Sequence, residues 1–401
     1  MTAALILPPT EDSFRRVAGL PLLQRSALAA LRAGFAPVRV LATTQRAGVE
    51  ALVRGDARLR RLELVTELSQ IGEGCVAVLP SDCVVAASTL DRVRSVPADD
   101  CAVLFDGTGG AAILVCDAAR LQSTTPGDAV AVLRLLEGVA RTAQHISLDG
   151  TPCLRVTSSA DVARAEQALG ARLRAESAAS DGPLAHWIDR CLSLRISRWL
   201  VAHTQLRPNQ ITVIGTAVGL MAAAFLATGT YASGVVGALL FWCAVVIDGC
   251  DGEVARLTFQ DSAFGQKFDV ITDNIVHAAI FLGLGVGMYR RDPDGQAVLL
   301  LALLLGGFAL NLVVTYFFLV RRPDFARDDR APGTWRGRMR QRLLRLFEAA
   351  MNRDFAYLIV LLALINRLDW FLWGTAIGTY AFALLLVLVY RWGNNGEHLG
   401  C

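Results

Sequence analysis

The chain has 401 residues, 54% of them hydrophobic and 19% charged, with a formal net charge of +3 and a mean hydropathy of +0.44. So large an apolar share excludes an ordinary soluble domain, and so small a charge, carried almost wholly by arginine, gives no case for nucleic-acid binding. The average hides two halves: up to about residue 180 charged and apolar residues mix, and beyond about residue 208 long apolar runs alternate with short polar ones, a membrane pattern.

Met1 to Pro9 has no basic start, too short an apolar run and no small-residue cleavage site, so no signal peptide is expected. Over residues 1–174, "AALIL", "VRVLA", "VAVLPSD", "CAVLFD" and "GAAILVC" alternate with helical stretches such as "PLLQRSALAALRAGF". That alternation predicts an α/β domain with a parallel, helix-covered sheet. The nine cysteines form no CxxC pair and no zinc spacing, which predicts reduced thiols used mostly as small core residues. "AESAASDGP", residues 175–183, reads as a linker.

Residues 184–207 place Trp187, Ile188, Cys191, Leu192, Leu194, Ile196, Trp199 and Leu200 at roughly helical spacing with Arg190, Arg195 and Arg198 among them, which predicts an amphipathic helix in the membrane interface. Pro208 is expected to stop it and Asn209 to cap the next helix. Six membrane helices are predicted within residues 208–393, at about 210–228, 232–256, 267–289, 297–320, 355–367 and 371–391, leaving 394–401 as a tail. The loop between the fourth and fifth is strongly basic and "TGTYASG" between the first two carries no charge, so the basic loop and both termini are expected on the cytoplasmic side, with Arg290 and Arg291 as exceptions.

The stretch "DGCDGEVARLTFQDSAFGQKFDVITD", residues 248–273, interrupts this apolar pattern. Asp248 and Asp251 are three apart, Asp269 and Asp273 four apart, so each pair shares a helical face and the pairs can oppose one another across a short hairpin. Four carboxylates in a low dielectric must protonate or bind cations, and hard divalent ions such as Mg²⁺ or Mn²⁺, plausibly two, suit oxygen ligands and phosphate-bearing substrates. The thiol of Cys250 is too soft for such a set. Gly252 and Gly265 allow a ligand or helix to approach the backbone, and Arg256 offers a fork of donors to phosphate. Lys267, the single lysine, either does likewise as a point charge or snorkels at a helix start.

Asp248, two residues, Asp251-Gly252, two residues, Ala255-Arg256, eight residues, Gly265, three residues, Asp269, three residues, Asp273 is similar, position for position, to the signature of the CDP-alcohol phosphotransferase family. The resemblance spans about residues 182–391. It implies an all-α six-helix transmembrane enzyme, commonly a homodimer, that transfers a phosphoalcohol from a CDP-alcohol to an acceptor hydroxyl and releases CMP. It implies that Asp248, Asp251 and Asp269 bind two divalent metals with the CDP diphosphate, and that Asp273 serves as base and ligand. Gly252, Ala255, Arg256 and Gly265 would line the CDP pocket, with Lys267 beside them. The expected partners are a CDP-alcohol donor, an alcohol or phospho-alcohol acceptor and the bilayer, with the site at the cytoplasmic face of the inner membrane.

Residues 3–35 resemble the start of sugar-phosphate nucleotidyltransferases, keeping Gly19, Pro21, Leu22, Leu23, Arg25, Leu28, Leu31 and Gly34, with Asp82 of "LPSD" where a metal aspartate falls. Residues 8–13 read "PPTEDS" and lack the glycines that would cradle a triphosphate, so a non-catalytic domain is expected. The two-part arrangement, with "SDGPLAHWIDRCLSLRISRWL" and "NRDFAY", is similar to fusions of inositol-phosphate cytidylyltransferase with di-inositol phosphate synthase, which tilts the alcohol toward a phosphoinositol type. Arg195, Arg198 and Arg353 are candidates for holding an acceptor phosphate or for anchoring at the membrane surface. Two other readings stay open: a bifunctional enzyme whose first half makes its own CDP-alcohol, and a non-enzymatic cation-binding membrane protein.

Overall fold

The computed structural model describes residues 3–95, 103–106, 112–122, 138–139, 144–147, 153–177, 185–293, 295–315 and 355–394. The chain divides into two compact units: residues up to Leu173, with Val201–His203 and Arg256–Phe259 grouped with them, and the remainder.

In the first unit, β1 (Ala3–Ile6), β2 (Arg16–Val17) and β3 (Leu20–Pro21) lead into α1 (Leu22–Arg32), followed by β4 (Val38–Leu41), α2 (Arg46–Gly55), β5 (Leu62–Val65), β6 (Cys75–Leu79), β7 (Cys83–Val85) and α3 (Ala87–Arg94). Then come β8 (Val103–Asp106), β9 (Ala112–Asp117), α4 (Ala118–Gln122), β10 (Gln144–Ser147), β11 (Cys153–Arg155) and α5 (Ser159–Ser177). Among the described residues the main sheet has seven strands, in the order β10-β8-β9-β6-β1-β4-β5. Successive side chains point to opposite faces of a strand. Thus Ala4, Ile6, Ala77 and Leu79 join Leu23, Ala27 and Ala30 of α1 in one apolar layer, while Ala3, Leu5, Val76 and Val78 join Ala118 and Leu121 of α4 in the other.

The expected all-parallel sheet is corrected in one place. β1 is parallel to β4 and β6, and β4 to β5, but β9 runs antiparallel to both β6 and β8. Only residues 107–111 separate β8 from β9, too few for a crossover helix, so the two can pair only as antiparallel neighbours. The predicted linker is also shortened, because α5 continues through Ala175 and Glu176, good helix formers, to Ser177.

The described cysteines are free thiols, with Cys83, Cys116, Cys153 and Cys250 buried and Cys191 and Cys243 exposed. Hydrogen bonding with Cys153, then burial, holds the Cys83 thiol well above its usual range. Burial pushes Cys116 up to about 12. Both are protonated, inert core residues at neutral pH.

The second unit is helical. A π-turn at Ala185–Asp189 runs into α6 (Arg190–His203), followed by α7 (Pro208–Leu226), α8 (Tyr231–Thr258), α9 (Ala263–Arg291), α10 (Ala297–Thr315), α11 (Phe355–Leu364) and α12 (Leu368–Asn394). Three of these helices, at Pro208–Leu226, Tyr231–Leu257 and Ala263–Arg291, are long and apolar enough to cross a membrane. Asn209 is not the cap of α7. Pro208 takes the first helical position, where its missing N–H costs nothing, so Arg207 becomes the N-cap. The Gln210 side chain accepts from the Arg207 N–H at 2.9 Å.

Small residues let α7 and α9 approach. A Cβ on Gly283 would lie 2.4 Å from the Ala223 carbonyl oxygen, and one on Gly287 2.2 Å from that of Leu226. The out-of-place Arg290 and Arg291 find a use here. Arg290 donates to the Ala227 carbonyl at 3.0 Å, and Arg291 donates to the Gly229 carbonyl and, at 2.8 Å, to Asn366 Oδ1. Cations at the carbonyl end of α7 complement its dipole, which accounts for the arginine pair at the end of α9.

Candidate functional site

Asp248 and Asp251 lie on α8 and Asp269 on α9. One carboxylate oxygen from each lies within 4.8 Å of the others, so the three converge on one point. Asp251 is buried at 6% exposure, while Asp248 and Asp269 are half-buried. Asp273 follows Asp269 by one turn on the same face of α9 and is also half-buried, but it stands outside the group of three. The next turn carries His277, which sits between the rings of Phe241 and Phe355, at 6.2 and 5.4 Å between centroids.

Local sequence sets this arrangement. The α8 spacing of three and the α9 spacing of four put the acids on one face of each helix. Ser262 caps α9 by accepting from the Gly265 N–H at 3.0 Å, which fixes where the helix that carries Asp269 begins. A Cβ on Gly265 would lie 3.2 Å from Ser262 Oγ and 3.3 Å from Asn209 Oδ1, so this signature glycine keeps the start of α7 close to the start of α9.

The other predicted residues are placed as follows. Gly252 is half-buried, one residue after Asp251, and Ala255 is buried. Arg256 is exposed on the last turn of α8, and Lys267 is exposed on the first turns of α9. Cys250 turns away from the acids, its thiol directed at the carbonyls of Val246 (3.3 Å) and Ser193 (3.6 Å). Arg195 and Arg198 are exposed, away from the buried Ser193 and Ser197 of the same helix. Arg353 lies outside the described residues.

Two features escaped the sequence reading. The Thr212 hydroxyl, on the first turns of α7, donates to Asp251 Oδ2. Glu253, 1% exposed, takes Ser193, Ser197 and Arg190 as partners. A third acid within the short run that begins at Asp248 was the available signal, but nothing local indicates a partner some 60 residues earlier.

The donor set, three convergent carboxylates with one buried and hydroxyl-braced, fits a hard divalent cation and suits no soft metal. Residues 205–390, which contain all of these acids, match the family model described as CDP-alcohol phosphatidyltransferase. This stretch is a CDP-alcohol phosphatidyltransferase domain. The chain is also similar to proteins named bifunctional IPC transferase and DIPP synthase. The Archaeoglobus fulgidus protein is 36% identical over 144 residues, covering 36% of this chain and 28% of the relative. Those of Rubrobacter xylanophilus and Thermococcus kodakarensis are 30% and 32% identical, covering 36% and 37% of this chain and 31% and 32% of the relatives. Each match therefore spans under a third of the relative's own length.

Proposed function

We propose that the protein is an integral membrane CDP-alcohol phosphotransferase of phospholipid biosynthesis, moving a phosphatidyl or phosphoinositol-type group from a CDP-alcohol to an acceptor hydroxyl with release of CMP. The observation that carries this reading is the convergence of Asp248, Asp251 and Asp269 within 4.8 Å inside the matched domain. Asp248, Asp251 and Asp269 would hold two Mg²⁺ or Mn²⁺ ions, with Asp273 at the edge of the set. Bound there, the ions supply Lewis-acid stabilisation of the charge on the diphosphate.

The chain's own residues do the rest. Thr212 orients Asp251. Asp273 accepts the proton of the acceptor hydroxyl, whose oxygen forms a bond to the alcohol-side phosphorus as the bond from that phosphorus to the bridging oxygen breaks. CMP leaves with that electron pair. Arg256 is suited to a departing phosphate, and Gly252, Ala255, Gly265 and Lys267 to the walls of the nucleotide pocket. Helices at the six predicted positions, three of them long and apolar enough to cross a membrane, support a multi-pass protein; the site at the cytoplasmic surface of the inner membrane and the homodimer are what the family resemblance implies. A site at that depth lets a water-soluble partner meet a lipid one. Mass spectrometry of the product formed from CDP-diacylglycerol and, separately, from CDP-inositol tests the assignment. A new phosphodiester is expected from one donor, and its absence with both refutes the chosen alcohol classes.

The relatives are named bifunctional, yet features of the first unit argue against a second activity here. Asp82, which would hold a metal in a nucleotidyltransferase, is bonded to Arg155 Nε at 3.0 Å. The "PPTEDS" segment is tied down instead of open to a phosphate chain, since Ser13 Oγ donates to Ser81 Oγ and Ser81 Oγ to the Pro8 carbonyl, each at 3.0 Å. We therefore expect full-length protein given CTP, Mg²⁺ and a phosphorylated alcohol to release no pyrophosphate. Pyrophosphate release above background overturns the non-catalytic assignment.

A further inference from the structure

We propose that Glu253 is a positioning residue of the metal-binding helix: by docking α8 onto α6 it fixes the rotation of α8, so that Asp248 and Asp251 face Asp269. This rests on the phosphotransferase reading of the site. Glu253 occupies one of the two unspecified positions between Gly252 and Ala255, so the signature assigns it nothing. It is nonetheless among the most buried charged groups of this unit, at 1% exposure on a membrane-class helix, where an unpaired carboxylate is costly.

Its partners all come from α6. Ser193 Oγ donates to Glu253 Oε1 at 2.6 Å, Arg190 Nη1 donates to the same oxygen at 3.2 Å, and Ser197 Oγ donates to Oε2 at 2.7 Å. Ser193 and Ser197 are one turn apart and 1% and 0% exposed. One turn before Glu253, a Cβ on Gly249 would lie 3.4 Å from Ser193 Cβ, so the two helices are in contact along this face. A second tie lies about three turns earlier on α8. Trp242 Nε1 donates to Asp189 Oδ1 at 3.0 Å, and the Tyr357 hydroxyl of α11 donates to the same oxygen. Two ties at the ends of one contact oppose both sliding and rotation of α8.

Rotation is what matters to the site. Asp251 precedes Glu253 by two residues, roughly 200° around the helix. Each carboxylate therefore has its own side: Glu253 is held by α6, and Asp251 is held by Thr212 of α7. Releasing the first lets α8 turn and swings the metal-facing oxygens of Asp248 and Asp251 out of reach of Asp269. A neutral glutamine weakens the tie because it removes the charge that strengthens the bonds from Arg190, Ser193 and Ser197, and its –NH₂ can be met only by a serine hydroxyl turned round to accept.

The test is Mn²⁺ binding by electron paramagnetic resonance on the purified full chain in detergent, for wild type, Glu253→Gln, the Ser193→Ala/Ser197→Ala pair and Asp251→Asn. Loss of orienting partners around a metal site typically costs about 10–100-fold in affinity. We expect Glu253→Gln and the double serine variant each to weaken Mn²⁺ binding by about tenfold or more, with CMP release recovering at saturating Mn²⁺, a rescue that general structural damage does not give. Should Glu253→Gln not fold, the serine pair carries the same test. If wild type binds Mn²⁺, Asp251→Asn does not, and both the Glu253 and serine variants bind as wild type, the positioning role is refuted while the phosphotransferase reading stands. If wild type itself binds no Mn²⁺, the metal reading fails and the positioning role with it.

Discussion

Asp251→Asn is expected to abolish metal-dependent CMP release and Mn²⁺ binding together, whereas Asp273→Asn is expected to abolish release and keep most of the binding. The difference follows from geometry, since Asp251 belongs to the group of three carboxylates and Asp273 stands one turn outside it. Removing a preorganised electrostatic partner of a transition state costs about 10²–10³ in rate, and removing a general base about 10²–10⁴, so both variants should be nearly silent in a membrane assay. The Asp251 substitution leaves the fold intact, because the Thr212 hydroxyl still finds an acceptor in the amide oxygen, though a weaker one than the carboxylate. Titrating purified protein with Mn²⁺ separates the two roles. Equal loss of binding in both variants makes Asp273 a full ligand instead of chiefly a base.

Gly287→Val is expected to disrupt the membrane unit more than any exposed substitution in it. A Cβ there would meet the Leu226 carbonyl oxygen at 2.2 Å and the Gly229 nitrogen at 3.4 Å, backbone atoms that cannot swing aside as a side-chain tip can. Overpacking of this kind costs roughly 1–3 kcal/mol and sometimes more. Because α7 carries Thr212 and α9 carries Asp269, forcing them apart also opens the site at its far end. Thermal unfolding in detergent should show a lowered midpoint for Gly287→Val and little change for Gly374→Ala, where a Cβ meets nothing within 4 Å. An unchanged midpoint for the valine variant would remove the close α7–α9 contact from the account.

How much was legible in the sequence depended on whether the physics was local. The α8 and α9 acids could be assigned to helix faces from spacing alone, because three and four residues are one turn. The alternation of strand-like and helical segments predicted a helix-covered sheet, and Ala4 and Ile6 against Ala3 and Leu5 fill its two layers. The direction of β9 was also there to be read, in the short stretch between Asp106 and Ala112, but the rule for parallel alternation obscured it. Tertiary pairing was not legible. Glu253 with Ser193 and Ser197, and Thr212 with Asp251, join residues 39 to 60 apart in sequence, and no helical periodicity carries that information.

The arginines teach a related point. Arg290 and Arg291 weakened the orientation drawn from loop charge, and their structural use at the carbonyl end of α7 separates them from that argument. The apolar periodicity of α6, from which an interfacial amphipathic helix was expected, likewise carried no sign of its serine contact with α8. Trp187 and Trp199 are exposed at 75% and 57%, while the serines lie against α8. Tryptophans exposed in a membrane-class unit are suited to the lipid interface, where an apolar ring and a polar N–H are both accommodated.

The most direct test of the central claim is release of CMP from CDP-alcohols by the full-length protein in lipid vesicles, followed with and without Mg²⁺ or Mn²⁺. The account predicts release that requires the metal, requires an acceptor alcohol and disappears in Asp251→Asn and Asp273→Asn. Metal-independent release, or none from any CDP-alcohol by protein that binds Mn²⁺, contradicts it.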